Sequence, residues 1–499
     1  MNVGPSAARV LTIDQGTSGT TCLVVGTDGA IHGRGHAPVT VRYPRDGWVE
    51  QDAEELWLSV LAAARAALDA AGDPLPQAVG ITNQRETLVV FERGSLRAVA
   101  PAIVWQCRRS TDLCAEHRER GEEVAVRART GLLFDPYFTA TKLEWLLREE
   151  PHLRERAGRG ELCAGTVDTW LVARLSAGRE LVTDPSNASR TLLYDLTTGD
   201  FDDELCALFG VPRSLLPRVG ASAGRLAVTD PDAFLGLRLP VSGVAGDQQA
   251  ALFGQACLSA GMGKNTYGTG SFVLVTTGTG LPAIVDGLLS TVAWRIGGED
   301  TFALEGSIFV TGAAIQWLRD GLGLIDASDQ AGPLFDSVAD SSGCIFVPAL
   351  TGLGAPYWDP RARGALLGLT AGVSRAHVVR AVVEAMAFRT RDVVEAIEKG
   401  SGIALAELRV DGGASVMDGL CQLQADLLGL PVTRSASPES TAMGAAMLAA
   451  VGEGLIDVPD GVEAAYHAGR RFEPADPGER PAASYAAWQD AVARVRTNA

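Results

Sequence analysis

Apolar and turn-forming residues alternate over the first forty positions in a pattern that predicts a meander of three short strands, at residues 10–14, 21–25 and 30–35. A glycine-and-hydroxyl stretch, Asp14-Gln15-Gly16-Thr17-Ser18-Gly19-Thr20, separates the first two, and Asp28-Gly29 the next. The period then lengthens. Leu56, Val60, Ala63 and Leu68 recur at helical spacing, with Asp52 placed to cap and Glu55 three residues on, so a helix is expected from about Asp52. Buried strands are expected at residues 78–82 and 102–105, and strands mixed with helices in this order predict an α/β domain with a mixed sheet.

The plan repeats after residue 250. Residues 272–276, 289–295 and 301–305 are strand-like, 312–318 and 374–397 carry helical periodicity, and 409–413 reads as a strand entering a glycine turn before a helix over 415–428. A second glycine-and-hydroxyl tip, Tyr267-Gly268-Thr269-Gly270-Ser271, opens this half as the first opens the other. The closing segment predicts a peripheral helix. A chain of 499 residues is too long for one core, so two α/β domains are expected, 1–250 and 251–499, with a small-molecule site in the cleft between them.

Composition narrows the partners. Hydrophobic residues make up 46% and charged residues 21%, the balance of a globular chain. A formal net charge of -17 leaves no basic excess to neutralise nucleic acid or an anionic membrane surface. The eight cysteines form no C-x-x-C pair and no apolar run reaches membrane-spanning length, which points to reduced thiols, no integral membrane segment and a cytoplasmic location. Lysine occurs only at Lys142, Lys264 and Lys399, so arginine carries nearly all positive charge.

Each glycine tip frees backbone N–H groups and presents hydroxyls, the makings of a phosphate clamp, and two clamps could close on one nucleotide. Asp14, at the mouth of the first, could hold magnesium or serve only the turn. Asp247 ends an apolar strand and precedes a predicted helix at 249–253; it is either the base that takes a proton from an attacking hydroxyl or a helix cap. Arg85 and Glu86, in Thr82-Asn83-Gln84-Arg85-Glu86, match neighbouring hydroxyls of a polyol or form a surface ion pair. Trp105, Tyr137 and Phe272 could wall a carbon skeleton or simply pack the core.

Taken together, these segments resemble the glycerol kinase branch of the FGGY carbohydrate kinases, within the actin-like, ribonuclease H-like ATPases. The resemblance runs through residues 44–51 (PRDGWVEQ), 80–87 (GITNQRET), 103–109 (IVWQCRR), 165–171 (GTVDTWL), 187–191 (NASRT), 246–254 (GDQQAALFG), 264–270 (KNTYGTG), 316–320 (QWLRD), 346–359 (FVPALTGLGAPYWD) and 411–414 (DGGA). It implies two duplicated ribonuclease H-like domains, the first holding the polyol and the first phosphate hairpin, the second the nucleotide and the second hairpin. It further implies that Arg85, Glu86, Tyr137, Asp247 and Gln248 hydrogen-bond glycerol, that Trp105 and Phe272 lie against its carbons, and that Asp247 is the general base. ATP and Mg2+ follow from the same likeness, with Asp14 at the metal. Thr17, Ser18, Gly19, Thr21 and Thr269 would lie at the phosphates, and Gly312, Gln316, Gly413 and Met417 along the nucleotide. A homodimer or homotetramer is implied as well.

Three positions depart from that pattern. Thr21 stands where the family usually has a basic residue, Met417 where asparagine is common, and a glycine-rich regulatory loop for fructose 1,6-bisphosphate is represented only by Leu235-Gly236-Leu237-Arg238. Two other functions remain open on sequence grounds: phosphorylation of another small polyol or sugar, such as a tetritol, dihydroxyacetone or glyceraldehyde, and a nucleotide-dependent switch without a small substrate. If the missing charge at position 21 is a deficit, Thr21→Arg is expected to raise kcat/KM for ATP several-fold, because cations beside a transferring phosphoryl group stabilise its transition state. An ADP-release assay checks this, and an unchanged or lower value would mean that another cation serves the phosphates.

Overall fold

The computed structural model describes residues 7–475 and 479–497. Its first half opens with β1 (Arg9–Gln15), β2 (Gly19–Gly26) and β3 (Ile31–Pro38), the expected antiparallel meander. Helix α1 (Ala53–Ala71) follows, capped at Asp52, whose carboxylate accepts from the Glu54 N–H at 2.9 Å. Glu55 does not complete a capping box; it accepts instead from the Thr40 N–H at 2.7 Å and so ties the helix start to the incoming chain. Strand β4 (Ala78–Asn83) runs parallel to β1, and after a long polar excursion β5 (Ala223–Val228) and β6 (Pro240–Gly246) add to the same sheet, β6 parallel to β4. The last strand leads directly into α2 (Asp247–Gly254).

The second half repeats this topology. Strands β7 (Met262–Tyr267), β8 (Ser271–Gly278), β9 (Leu289–Ile296) and β10 (Glu299–Ile308) precede the 27-residue helix α3 (Arg375–Ser401), β11 (Glu407–Asp411), α4 (Asp418–Leu428), β12 (Val432–Ser435), α5 (Ser440–Gly452) and β13 (Ala468–Phe472). The order β3-β2-β1-β4-β6 in the first half has its counterpart in β10-β8-β7-β11-β12, with the same parallel and antiparallel senses. Only one register pair, Ala223 with Ile296, links the two into a single 13-stranded sheet.

Three expectations needed adjustment. Only Ala102–Ile103 pairs as a strand, because the Val104 N–H turns to the Val49 carbonyl and the Trp105 N–H to the Thr87 hydroxyl. The helix expected over 415–428 is broken at Met417, whose backbone is extended between a single tight turn at Gly413–Val416 and α4. The segment 312–318 begins as an α-helix at Gly312–Gln316 and widens to a π-turn at Trp317–Gly321. The expected closing helix spans Glu479–Val495 and is tied in by Tyr485, which donates to Asp392 at 2.8 Å.

Helix α5 belongs to the second half by sequence, yet it packs on β1, β4 and β6 of the first and against α2. Small residues make this possible. A Cβ on Gly80 would lie 2.2 Å from the Ala445 carbonyl oxygen, and one on Gly444 would lie 1.8 Å from that of Ala250, so both backbones already touch the helix opposite. Val10, Leu23, Val25 and Ala245 fill the rest of the interface with Ala442, Met443 and Ala446. Gly444→Ala is therefore expected to lower stability by about 1–3 kcal/mol through overpacking. Urea denaturation measures this; an unchanged midpoint would show that α5 can move aside freely.

Candidate functional site

The two glycine tips are held in place differently. In the first, the Gly16 N–H donates to the Gly19 carbonyl at 2.9 Å, and the turn between them rests on a layer of amides. Gln51 donates to the Thr17 carbonyl at 2.7 Å, Gln84 donates to Gln51 at 2.9 Å and to Gln15 at 3.0 Å, and the Trp105 indole N–H donates to the Thr17 hydroxyl at 2.9 Å. In the second, the helical turn beginning at Gly312 clamps the tip from behind: the N–H groups of Thr311, Gly312 and Ala313 donate to the carbonyls of Thr269, Gly268 and Thr269, each at 3.0 Å. Gly412, at φ +85°, sits against the Tyr267 backbone, so the turn after β11 lies over the same hairpin.

Arg85 and Glu86 follow β4, Glu86 in a left-handed conformation at φ +58°. Both are buried, which rules out the surface ion pair. Arg85 donates to Glu305 of β10 at 2.5 and 3.2 Å and to the Tyr137 hydroxyl at 3.3 Å, while its Nε faces Asp247 at 3.2 Å. Arg190 bridges the same acids, donating to Glu86 at 2.7 Å and to Glu305 at 2.9 Å. Burial would raise the Glu305 carboxyl, but the Arg190 and Arg85 guanidiniums overcome this and hold it at about 2. Glu86 stays above its usual range: burial outweighs the same two arginines, and its Oε2 has no protein partner. Lys142 is pushed down to about 8 by burial and donates to the backbone carbonyls of Glu86 and Tyr137, fixing the strained turn.

Asp247 is the first residue of α2, but Gly246 occupies the cap position, and the carboxylate accepts from the adjacent Gln248 N–H at 2.7 Å and pairs with the Arg85 Nε at 3.2 Å. Capping is thus not its task. Its side chain is 33% exposed, whereas Glu86 and Glu305 are sealed. Desolvation raises its carboxyl, opposed by the Arg85 and Lys264 charges. Asp14 has no cationic partner among the described residues, and burial together with the charges of Asp247 and Glu439 pushes it up to about 8. Trp105 and Tyr137 meet edge-on at 5.7 Å, and the Arg85 guanidinium lies 5.7 Å from the Phe272 ring centre. All three aromatic residues are half-buried.

The N-terminal domain of the FGGY family of carbohydrate kinases matches residues 9–254, and its C-terminal domain matches residues 263–453. The chain belongs to this family. It is 52% identical to a glycerol kinase of Dechloromonas aromatica over 97% of each chain, and 47% identical to glycerol kinase 2 of Thermotoga maritima over 97% of this chain and 98% of that one. Among solved structures, the glycerol kinase of Plasmodium falciparum with ADP superposes with a TM-score of 0.92 at 30% identity, covering 98% of both chains. A gluconate kinase of Lactobacillus acidophilus shares the fold with a TM-score of 0.88 at 20% identity.

Within this FGGY fold the structure brings Arg85, Glu86, Tyr137, Asp247, Trp105 and Phe272 together by direct contacts, and ties Thr17 to them through Trp105. Gly312 contacts the second tip directly, and Gln316 ends the helix that clamps it. Gly413 begins the turn that leads to Met417, which lies half-buried near Gly332. Thr21 pairs with His36 of β3 at 3.1 Å, and no Lys or Arg contact to Thr21 is present among the described residues. Sequence reading missed Glu305 and Arg190. Glu305 was visible only as a charge at the end of an apolar run, and Arg190 was one arginine among many. Because removing one partner strands two buried guanidiniums, Glu305→Ala is expected to cost about 3–5 kcal/mol of stability. Thermal and urea denaturation test this, and a loss below 1 kcal/mol would mean that water replaces the carboxylate.

Proposed function

We propose that the protein phosphorylates glycerol with ATP, giving sn-glycerol 3-phosphate and ADP, as a kinase of glycerol catabolism. The observation that carries this reading is the contrast among the acids of the cleft: Glu86 and Glu305 are locked between arginines, while Asp247 is open on one side and held in aim by Arg85 at 3.2 Å. A carboxylate so placed is free to accept one proton. Residues 1–250 supply the polyol groups and the first hairpin, residues 251–499 the second hairpin and the adenosine side.

In this mechanism Arg85, the Glu86 carboxylate, Tyr137 and Gln248 fix the hydroxyls of glycerol, with the Trp105 and Phe272 rings against its carbons. Asp247 takes the proton of a terminal hydroxyl as that oxygen attacks the γ-phosphorus in line. The bond from the γ-phosphorus to the bridging oxygen breaks, and ADP leaves with its electron pair. Backbone N–H groups and hydroxyls at Thr17, Ser18, Gly19 and Thr269 hold the phosphate oxygens, while Gly312, Gln316, Gly413 and Met417 line the nucleotide. Approach of the two halves excludes water, which limits wasteful hydrolysis of ATP.

Magnesium fits the donors present. Asp14 supplies a hard oxygen donor, and burial together with the charges of Asp247 and Glu439, which raise its carboxyl, makes a divalent cation beside it favourable. No group of three or more His, Cys, Asp or Glu among the described residues forms a ready-made cage, so Asp14 would share the ion with nucleotide phosphates. When bound, the ion supplies charge neutralisation at the phosphates. Among the described residues no helix is long and apolar enough to cross a membrane.

Purified protein with ATP, magnesium and a panel of small polyols is expected to release ADP with glycerol present. Asp247→Asn should lower that rate by about 10²- to 10⁴-fold, the range for a general base. Release indifferent to every polyol would reject the proposal, and release with a tetritol or dihydroxyacetone in preference to glycerol would replace its substrate.

A further inference from the structure

Lys264 lies on β7, in the second half of the chain, and is fully buried. Its ammonium makes no carboxylate ion pair within 4.0 Å among the described residues. It donates instead to two neutral oxygens, the Gln248 side-chain carbonyl and, at 2.9 Å, the Thr266 hydroxyl. Burying an ammonium costs free energy unless something is gained from its position. Desolvation lowers it to about 8, against the opposing pull of Asp411 and Asp247.

The contact with Gln248 has one consequence that follows from donor counting alone. An amide side chain presents an acceptor at one end and two donors at the other, and which end points where is normally ambiguous. An ammonium has three donors and no acceptor. Whatever faces Lys264 must therefore be the Gln248 oxygen, and the NH2 end must point the other way. That end has no protein acceptor among the described residues, and Gln248 is only half-buried, beside the open face of Asp247. Thr266 holds the ammonium from behind, so the assembly Thr266, Lys264, Gln248 has a single sense.

We propose that Lys264 is a positioning residue that fixes the Gln248 amide with its NH2 group toward the substrate, so that Gln248 can only donate to a hydroxyl oxygen. The proposal rests on the assignment of this cleft to glycerol. It gives the bound hydroxyl a polarity: its oxygen accepts from Gln248, and its proton is directed elsewhere, toward an acceptor such as Asp247. It also makes a residue of the second half responsible for the orientation of a polyol contact in the first. Two of the three lysines in the chain, Lys142 and Lys264, are buried at this site, the choice of a compact ammonium where arginine serves almost everywhere else.

A double-mutant cycle tests this. Lys264→Met and Gln248→Met are each expected to raise KM for glycerol at least tenfold, with KM for ATP changed less than threefold. The double variant should be no worse than the worse single one, because Lys264 acts through Gln248. Lys264→Arg, which keeps the charge and donors, should recover part of the loss. Gln248→Glu, which leaves Lys264 in place but presents only oxygens, should raise KM for glycerol as much as Gln248→Met, and it keeps the test alive if the Lys264 variants fold poorly. Multiplying effects in the double variant, a Lys264→Met defect confined to ATP, or normal glycerol binding by Gln248→Glu would each overturn the positioning role. Wild-type protein inactive on glycerol would overturn the functional reading beneath it, an outcome distinct from active protein with additive variants.

Discussion

Four charged side chains, Arg85, Glu86, Arg190 and Glu305, lie out of water where the two halves meet, and the site around them depends on their staying paired. The desolvation of such ions is recovered only when each is matched and hydrogen-bonded. Here the match is unequal. Glu305 receives three donors from two arginines and is held firmly ionised, whereas Glu86 receives one close donor and keeps an oxygen without a protein partner. The cluster is thus fully matched at Glu305 and incompletely matched at Glu86. Asp247, by contrast, is partly exposed and shares Arg85 with these acids, at 3.2 Å from its Nε.

Around this cluster, the two glycine hairpins are alike in outline and unlike in support. The first is backed by amides and an indole, neutral groups that fix the turn without adding charge. The second is backed by a helical turn whose first residues donate to the hairpin carbonyls. The first hairpin is therefore held through side chains and linked to Tyr137 through Trp105, while the second is held through the backbone of the turn at Gly312. Glu305 lies on β10, which pairs with β8 beside the second hairpin, so a continuous chain of contacts joins that hairpin to Arg85.

Local patterns were legible in the sequence and long-range ones were not. The meanders, α1 and α3 follow from alternation and helical spacing within a few residues, and the glycine tips announce themselves. The Arg85-Glu86 dipeptide could be read as surface or as pocket, since burial is decided by partners as distant in sequence as Glu305, 220 residues on. Asp247 was ambiguous for a related reason: only the geometry places Gly246 in the cap position and frees the carboxylate. Met417 interrupts a helix that periodicity predicts as continuous, because the turn after β11 must first cross the second hairpin. Lys264 was conspicuous as one of three lysines, but its partner Gln248 lies on a different element, α2, and no spacing rule connects them.

Helix α5 has a consequence for how the chain comes to be folded. Made of small residues and buried on nearly every side, it covers a face of the first sheet although it lies near the far end of the sequence. A growing chain exposes the apolar face formed by Val10, Leu23, Val25 and Ala245 long before the segment that closes it has been synthesised. Domains that emerge first generally fold first, but this one cannot finish alone. The same crossing leaves that apolar face of the first half without its cover until α5 has been synthesised.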